Sequence, residues 1–115
     1  MEKRFSTPPE IAKEFVELGY KKATTPTPSL LLLGIIAGAY IAFACQGSNV
    51  AIHTIESVGL SKTLAGVMFA VGLIMVIIGG AELFTGNALI IISCLERKTK
   101  WSGLLRNWVV VYIGN

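Results

Sequence analysis

Apolar residues in this chain form long, nearly uninterrupted stretches, a pattern typical of membrane-spanning helices. No charged residue occurs from Ala23 to Ile55. Within that interval, residues at about 29–47 have the length that crosses a hydrocarbon core roughly 30 Å thick. Two prolines stand just before them, where the start of a helix tolerates proline. We predict a retained first span there. A signal peptide is the alternative, which the long N-terminal region with its acidic residues disfavours.

The second apolar stretch, residues 63–95, is too long for one simple crossing, because as a straight helix it would measure about 50 Å. Its single charge, Glu82, lies in a polar, glycine-rich run at 80–87. Irregular backbone at that depth requires protein or a water-filled cavity to satisfy its polar groups. We predict a broken helix, with a first part that ends near Gly79, an irregular loop that lines a cavity, and a half-helix at about 87–94. A long, tilted, continuous helix with a buried Glu is the alternative.

A third apolar stretch, residues 103–115, reaches the end of the sequence before it could cross a bilayer. We expect a truncated span there, from a fragment of a longer chain or from a chain that a partner completes. The stretches divide the chain into an N-terminal segment, residues 1–25, and a transmembrane region, residues 26–115.

The N-terminal segment has the pattern of an amphipathic helix. Thr7 can cap it, Pro8 takes the first helical position, and Glu10 completes a Thr-x-x-Glu capping box. Glu17 can pair with Lys21 one turn later. We expect this helix to lie on the membrane surface or on a neighbouring subunit, as an anchor or, alternatively, as a gate. Its apolar stripe consists of Ile11, Phe15 and Leu18.

Composition agrees with a membrane protein, since 53% of the residues are hydrophobic and 15% are charged, whereas soluble domains average about 25% charged residues. A disordered polymer and a nucleic-acid-binding arm are excluded, and a soluble enzyme is disfavoured.

The net charge of +3 comes from two basic clusters, in the N-terminal segment and at 97–106, while Lys62 stands alone between the first two spans. The positive-inside rule places both clusters in the cytoplasm. The N-terminal basic residues are Lys3, Arg4, Lys13, Lys21 and Lys22.

The run Gly-Ala-Glu-Leu-Phe-Thr-Gly-Asn at 80–87 closely resembles the signature of the formate/nitrite transporter family, which includes formate, nitrite and hydrosulfide channels. Residues 9–12 resemble the start of the family's N-terminal helix. Asn-Trp at 107–108 and Tyr-Ile-Gly-Asn at 112–115 resemble its third span. The family also breaks its second span at this place, so the resemblance covers essentially the whole chain.

The resemblance implies an all-α membrane protein with an aquaporin-like, inverted-repeat helical bundle of three plus three spans. It implies a multi-pass homopentamer in the bacterial inner membrane, with a cytoplasmic N-terminus and a pore for small monovalent anions in each protomer. Residues 26–115 would be the first repeat, with the broken second helix. Because transporter sites of this kind lie at the interface of two repeats, half of the bundle is not expected to conduct alone.

The same resemblance implies which residues line the pore. Thr85 matches a family threonine on the broken-helix loop that faces a histidine of the second repeat. Leu73 and Leu83 match a constriction on the cytoplasmic side, and Phe69 and Phe84 match one on the periplasmic side. Phe69 and Leu73 are four residues apart and can face one side of a helix. From the residues alone, that pair would be interpreted as core packing.

Two dry constrictions would exclude water and hydrated ions, since a bare anion has a high desolvation cost. Between them, Thr85 can donate a hydrogen bond, and the half-helix N-terminus near Asn87 adds positive potential and free N–H groups. In the family, the histidine is held to hydrogen-bond or protonate the weak-acid anion. His53 lies in the predicted outer loop and is not a candidate for that role.

Glu82, Gly86 and Asn87 are expected to support the loop. A carboxylate at Glu82 would repel an anion, and an unpaired charge there is too costly. We therefore expect Glu82 to accept hydrogen bonds from the loop's own backbone amides. Cys45 and Cys94 fall at opposite membrane faces on this topology, which disfavours a disulfide or a shared metal site.

The sequence, with the resemblance, thus favours a channel for formate, nitrite or hydrosulfide. We expect the chain to form a homopentamer in a lipid bilayer and to have no nucleic acid partner. The alternative is a membrane-embedded, proton-carrying subunit of an enzyme complex that uses Glu82. A third class, a structural membrane anchor, has no need of a broken helix. No metal-ligand cluster, haem pair or phosphate-binding glycine loop is recognisable in the sequence, so we expect no enzyme activity, cofactor or metal.

Overall fold

The structure, a computed structural model, describes residues 5–115, and the regular structure in that part is entirely helical. Lys3 and Arg4, which contribute to the predicted orientation, lie outside the described residues. The helices are α1 (Pro8–Ala23), α2 (Thr27–Ile52), α3 (Val58–Gly79), α4 (Phe84–Asn87), α5 (Ile90–Leu95) and α6 (Trp101–Gly114).

Two of these helices, α2 and α3, are long and apolar enough to cross a membrane. α2 extends beyond the predicted 29–47 at both ends, and α3 begins five residues before the predicted start at residue 63. The reason is that a helix continues through polar residues that flank an apolar span, and Ser57 supplies the N-cap of α3. The two helices pack closely, since a Cβ added at Gly72 would lie only 2.6 Å from the Cβ of Ala44.

Small residues also bring α6 against α2. A Cβ added at Gly38 would lie 2.6 Å from the backbone oxygen of Asn115, and one added at Gly114 would lie 3.0 Å from the backbone oxygen of Leu31. The Gly34-x-x-x-Gly38 spacing therefore serves close helix packing within this chain, as small residues do at interfaces between membrane helices.

α1 begins with the predicted capping box, in which the backbone N–H of Thr7 donates to Glu10 Oε2 at 2.7 Å. The helix packs on α5, where a Cβ added at Gly19 would lie 2.7 Å from Ser93 Cβ. α1 therefore lies on helices of its own chain.

The prediction that Glu17 pairs with Lys21 is wrong. Glu17 Oε1 accepts from Lys98 Nζ at 2.9 Å instead, because the loop between α5 and α6 lies beside α1. This hydrogen bond and the carboxylate charge raise the pKa of Lys98 above its ordinary value. The Lys98 ammonium also lies 5.6 Å from the centre of the Tyr20 ring. The loop before α6 is thus attached to α1 at its surface.

Candidate functional site

The second apolar stretch is interrupted directly after Gly79. Gly80 has a φ of +67°, in the left-handed region that glycine adopts without strain. Its N–H donates to Ile77 O at 3.3 Å, and the N–H of Ala81 donates to Val76 O at 3.0 Å. These two bonds form a Schellman motif, which ends a helix by satisfying its last carbonyls. The predicted break is therefore present, and the continuous helix is excluded.

The helical part after the break differs from its prediction. It begins at Phe84, three residues before the expected start at residue 87, because Leu83 is the last residue with extended backbone. The irregular segment is thus residues 80–83, and Thr85 lies in the first turn of α4 rather than in a loop. A turn at residues 88–89 separates α4 from α5.

Neighbouring helices satisfy the backbone of the interrupted segment. The N–H of Glu82 donates to Leu33 O on α2 at 3.2 Å. Asn115, which follows α6, accepts from the N–H of Phe84 at 2.9 Å and donates to Glu82 O at 3.0 Å and to Gly34 O at 2.6 Å. The protein itself thus supplies partners for the N–H groups of Glu82 and Phe84 and for the carbonyl of Glu82, as irregular backbone in a membrane requires. This role of Asn115 was not predicted, because its hydrogen-bond partners lie more than 30 residues away in the chain.

The Glu82 carboxylate is paired with a lysine from a different helix. Glu82 is buried, and its Oε2 accepts from Lys22 Nζ on α1 at 2.8 Å. The expectation that the loop's own amides would bind this carboxylate is wrong. Four of those amides, at residues 80, 81, 82 and 84, already donate elsewhere. The ammonium provides both a hydrogen bond and a compensating charge.

Asn87 connects α4 with α1 and α6. Its side chain is fully buried; Oδ1 accepts from Lys22 Nζ at 3.1 Å, and Nδ2 donates to Asn107 Oδ1 at 3.0 Å. Its backbone oxygen accepts from Trp108 Nε1 at 2.9 Å. Asn107 in turn donates to the backbone oxygen of Lys22 at 3.1 Å. The sequence indicated a supporting role for Asn87 but not its contacts with Lys22 and Asn107, because these residues are distant from it in the chain.

The residues predicted to line a pore fall into two groups. Thr85 is exposed on α4, as is Gly86, which was predicted to support the loop, and Leu83 before α4 is half-buried. Phe69 and Leu73 are exposed on α3, with 44% and 49% of their surface accessible. The structure therefore leaves most of these side chains uncovered, and their pore-lining roles stay predictions.

Phe84 packs against α6. Its ring lies 6.1 Å from that of Trp108 and 5.6 Å from that of Tyr112, between centroids. No ring contact between Phe84 and Phe69 is found within residues 5–115. Two aromatic contacts instead fix the first residue of α4, next to Thr85.

His53 and the two cysteines belong to other parts of the chain than the interrupted segment at 80–83. His53 is exposed after α2, with Nδ1 2.6 Å from Val50 O. Cys45 is exposed and Cys94 is buried, and both are free. In the described part of the chain, no group of three or more His, Cys, Asp or Glu residues is arranged to hold a metal ion.

Comparison with known proteins gives a consistent result. Residues 9–115 match the protein family described as Formate/nitrite transporter. The chain is 40% identical to the uncharacterized transporter YrhG of Bacillus subtilis, which aligns with 96% of this chain and 43% of that protein. It is 34% identical to the probable formate transporter of Methanothermobacter thermautotrophicus, over 96% of this chain and 42% of the relative. It is also 34% identical to the formate channel FocA of Escherichia coli, over 94% and 39% respectively.

No solved structure gives a significant match. The chain spans about two fifths of the length of the three relatives described above. The family match covers nearly all of its residues, including the interrupted helix and its polar partners. The chain belongs to the formate/nitrite transporter family.

Proposed function

We propose that this chain forms part of a channel for the small monovalent anions of weak acids, such as formate, nitrite or hydrosulfide. The observation that carries the proposal is the interrupted helix, which exposes Thr85 three residues after a buried acid that is paired with a lysine. The relatives named as formate transporter and formate channel support formate as the first anion to test.

The ion pair between Lys22 and Glu82 allows an anion to approach the interrupted helix. A carboxylate alone would repel an approaching anion, and in surroundings of low dielectric constant that repulsion would be strong. The Lys22 ammonium, 2.8 Å from the carboxylate, cancels most of this field. Thr85 can then donate a hydrogen bond to the anion where water is excluded.

The wider assembly belongs to the same proposal. We place the chain in the bacterial inner membrane as the first repeat of an aquaporin-like bundle, with a pore through each protomer of a homopentamer. Phe69 and Phe84 would form the periplasmic constriction, and Leu73 and Leu83 the cytoplasmic one. The N-terminus and the loop at 96–100 would face the cytoplasm, in agreement with the positive-inside rule.

A proton-carrying enzyme subunit that uses Glu82 is a weaker proposal. The Glu82 carboxylate is engaged in an ion pair with Lys22 Nζ at 2.8 Å, which favours a structural role for it. The relatives with assigned names are transporters and channels. We therefore propose that the protein is not an enzyme.

Uptake of formate, nitrite and hydrosulfide into proteoliposomes that contain the full-length protein tests the channel. We expect uptake of at least one of these anions, driven by its gradient, at a rate well above that of protein-free liposomes. Sulfate, a larger divalent anion, is the matched control and should not enter. Absence of uptake for all three anions would refute the proposal.

A further inference from the structure

One side chain on α6, Arg106, binds three oxygen atoms where α1 passes into α2. Its Nη1 donates to Thr27 Oγ1 at 2.8 Å, and its Nη2 donates to the backbone oxygens of Ala23 and Thr25, each at 2.7 Å. Ala23 is the last residue of α1, and Thr27 is the first residue of α2. Arg106 therefore connects three helices at one point.

Arginine suits this junction for physical reasons. The last carbonyls of a helix have no partner within the helix, and a cation near them also interacts favourably with the helix dipole. The planar guanidinium holds its N–H donors in a fixed arrangement that a lysine ammonium cannot reproduce. The hydroxyls of Thr24 and Thr25 donate back to carbonyls of α1, at Tyr20 and Lys21, and so do not attach the junction to α6.

Asn107, the next residue on α6, extends this attachment to Lys22. Its Nδ2 donates to the backbone oxygen of Lys22 at 3.1 Å. From this position, the Lys22 ammonium reaches Glu82 at 2.8 Å and Asn87 at 3.1 Å. A lysine side chain is long and flexible, so the position of its ammonium depends on how firmly its backbone is held.

We infer that Arg106 is a positioning residue, which fixes the end of α1 and thereby holds the Lys22 ammonium against Glu82. Without the guanidinium, the carbonyls of Ala23 and Thr25 lose a donor and the last turn of α1 loosens. Lys22 then spends less time in contact with Glu82, which leaves a carboxylate that repels anions. The effect on transport rests on the proposed function, whereas the effect on α1 does not.

Formate uptake by variants of the full-length protein tests the effect on transport. Arg106→Gln should lower the initial rate about three- to tenfold, because it removes hydrogen bonds made by a charged donor. Arg106→Lys keeps the charge but cannot reproduce all three bonds, so its rate should lie between those of Arg106→Gln and the wild type. The matched control, Lys100→Gln, removes an exposed positive charge from the nearby loop and should keep the wild-type rate.

A double-variant background separates positioning from general stabilisation. In Lys22→Met/Glu82→Gln there is no ion pair to position, and no buried charge is left without a partner. Adding Arg106→Gln to this background should change the uptake rate less than twofold, since residues that act through one interaction are not additive. A full three- to tenfold further loss in this background, or a wild-type rate for Arg106→Gln alone, would overturn the inference.

Hydrogen exchange tests the effect on α1 independently of transport. Within residues 22–27, the backbone amides of 22–25 and 27 should exchange about tenfold faster in Arg106→Gln than in the wild-type protein, while those of α3 should be unchanged; Pro26 has no amide hydrogen. Unchanged exchange at 22–27 would also overturn the inference. If the wild-type protein takes up no anion but exchange at 22–27 accelerates as expected, the proposed function fails and the positioning of α1 by Arg106 stands.

Discussion

At the scale of single residues, burial rather than distance separates the two ion pairs described here. Lys22 lies 2.8 Å from Glu82, and Lys98 lies 2.9 Å from Glu17, so their geometries are nearly equal. The first pair has side chains 21% and 10% exposed, whereas the second has 42% and 67%. Water and salt screen the exposed pair, while removal of one partner from the more buried pair leaves a charge with little access to water.

The first prediction follows from this contrast. Lys22→Met should lower the free energy of unfolding by about 3–5 kcal/mol, the cost typical of a broken buried pair. Lys22→Met/Glu82→Gln should recover most of that loss, because both charges are then absent. Lys98→Met, the matched control, should have no measurable effect. Chemical unfolding in detergent micelles measures these values, and equal losses for Lys22→Met and Lys98→Met would contradict the argument from burial.

The second prediction concerns the Thr85 hydroxyl. Thr85→Val keeps the shape of the side chain and removes the hydrogen-bond donor, so formate uptake in proteoliposomes should fall about tenfold for one lost bond to an anion. Thr63 is a matched control, because it is also exposed and its hydroxyl donates to Gly59 O within α3. Thr63→Val should keep the wild-type rate. Equal uptake by both variants and the wild type would remove Thr85 from the mechanism.

At the scale of elements, the sequence predicted what local patterns determine. Glycines, a single charge and excess length indicated the break after Gly79, and the capping box indicated the start of α1. The start of α4 was predicted three residues too late, since the extended backbone at Leu83 depends on contacts with other helices. The partners of Glu82 and Glu17 were missed because they lie 60 and 81 residues away in the chain, where no helical spacing relates them.

The third prediction tests the element that ends α3. Gly80→Ala should destabilise the protein by about 1–2 kcal/mol, because its φ of +67° is unfavourable for a residue with a Cβ. Apart from the adjacent residues, no atom lies within 4 Å of the added Cβ, so the cost comes from the local backbone conformation rather than from packing. Gly66→Ala is the matched control.

A Cβ at Gly66 also meets no atom within 4 Å, but this glycine lies inside α3. Alanine favours a helix interior over glycine by roughly 1 kcal/mol, so Gly66→Ala should be neutral or stabilising. Thermal unfolding in detergent compares the two variants. A loss of stability in Gly66→Ala equal to that in Gly80→Ala would show that the left-handed conformation is not the cause.

At the scale of the whole molecule, the two ends of the long helices differ in charge. The loop at 96–100, with its basic residues, lies beside α1, and Arg106 contacts the first residue of α2. At the other end, the loop at 53–57 carries one charge, that of Glu56. The 26 residues of α2 separate these ends by about 39 Å, close to the thickness of a bilayer with its headgroups. This difference in charge predicts that the loop at 96–100 faces the cytoplasm and the loop at 53–57 faces the opposite side of the membrane.

The last prediction is that the two ends are accessible from opposite sides of the membrane. Lys100 and Glu56 are both exposed, so a cysteine at either position can react with a membrane-impermeant maleimide. In a Cys45→Ser/Cys94→Ala background, Lys100→Cys should be labelled in inside-out vesicles. Glu56→Cys should be labelled in spheroplasts, which expose the outer face of the inner membrane. The positive-inside rule requires this order, because basic loops are retained in the cytoplasm. The reverse labelling would overturn the orientation, and labelling of both cysteines from one side would show that the chain between them does not cross the bilayer an odd number of times.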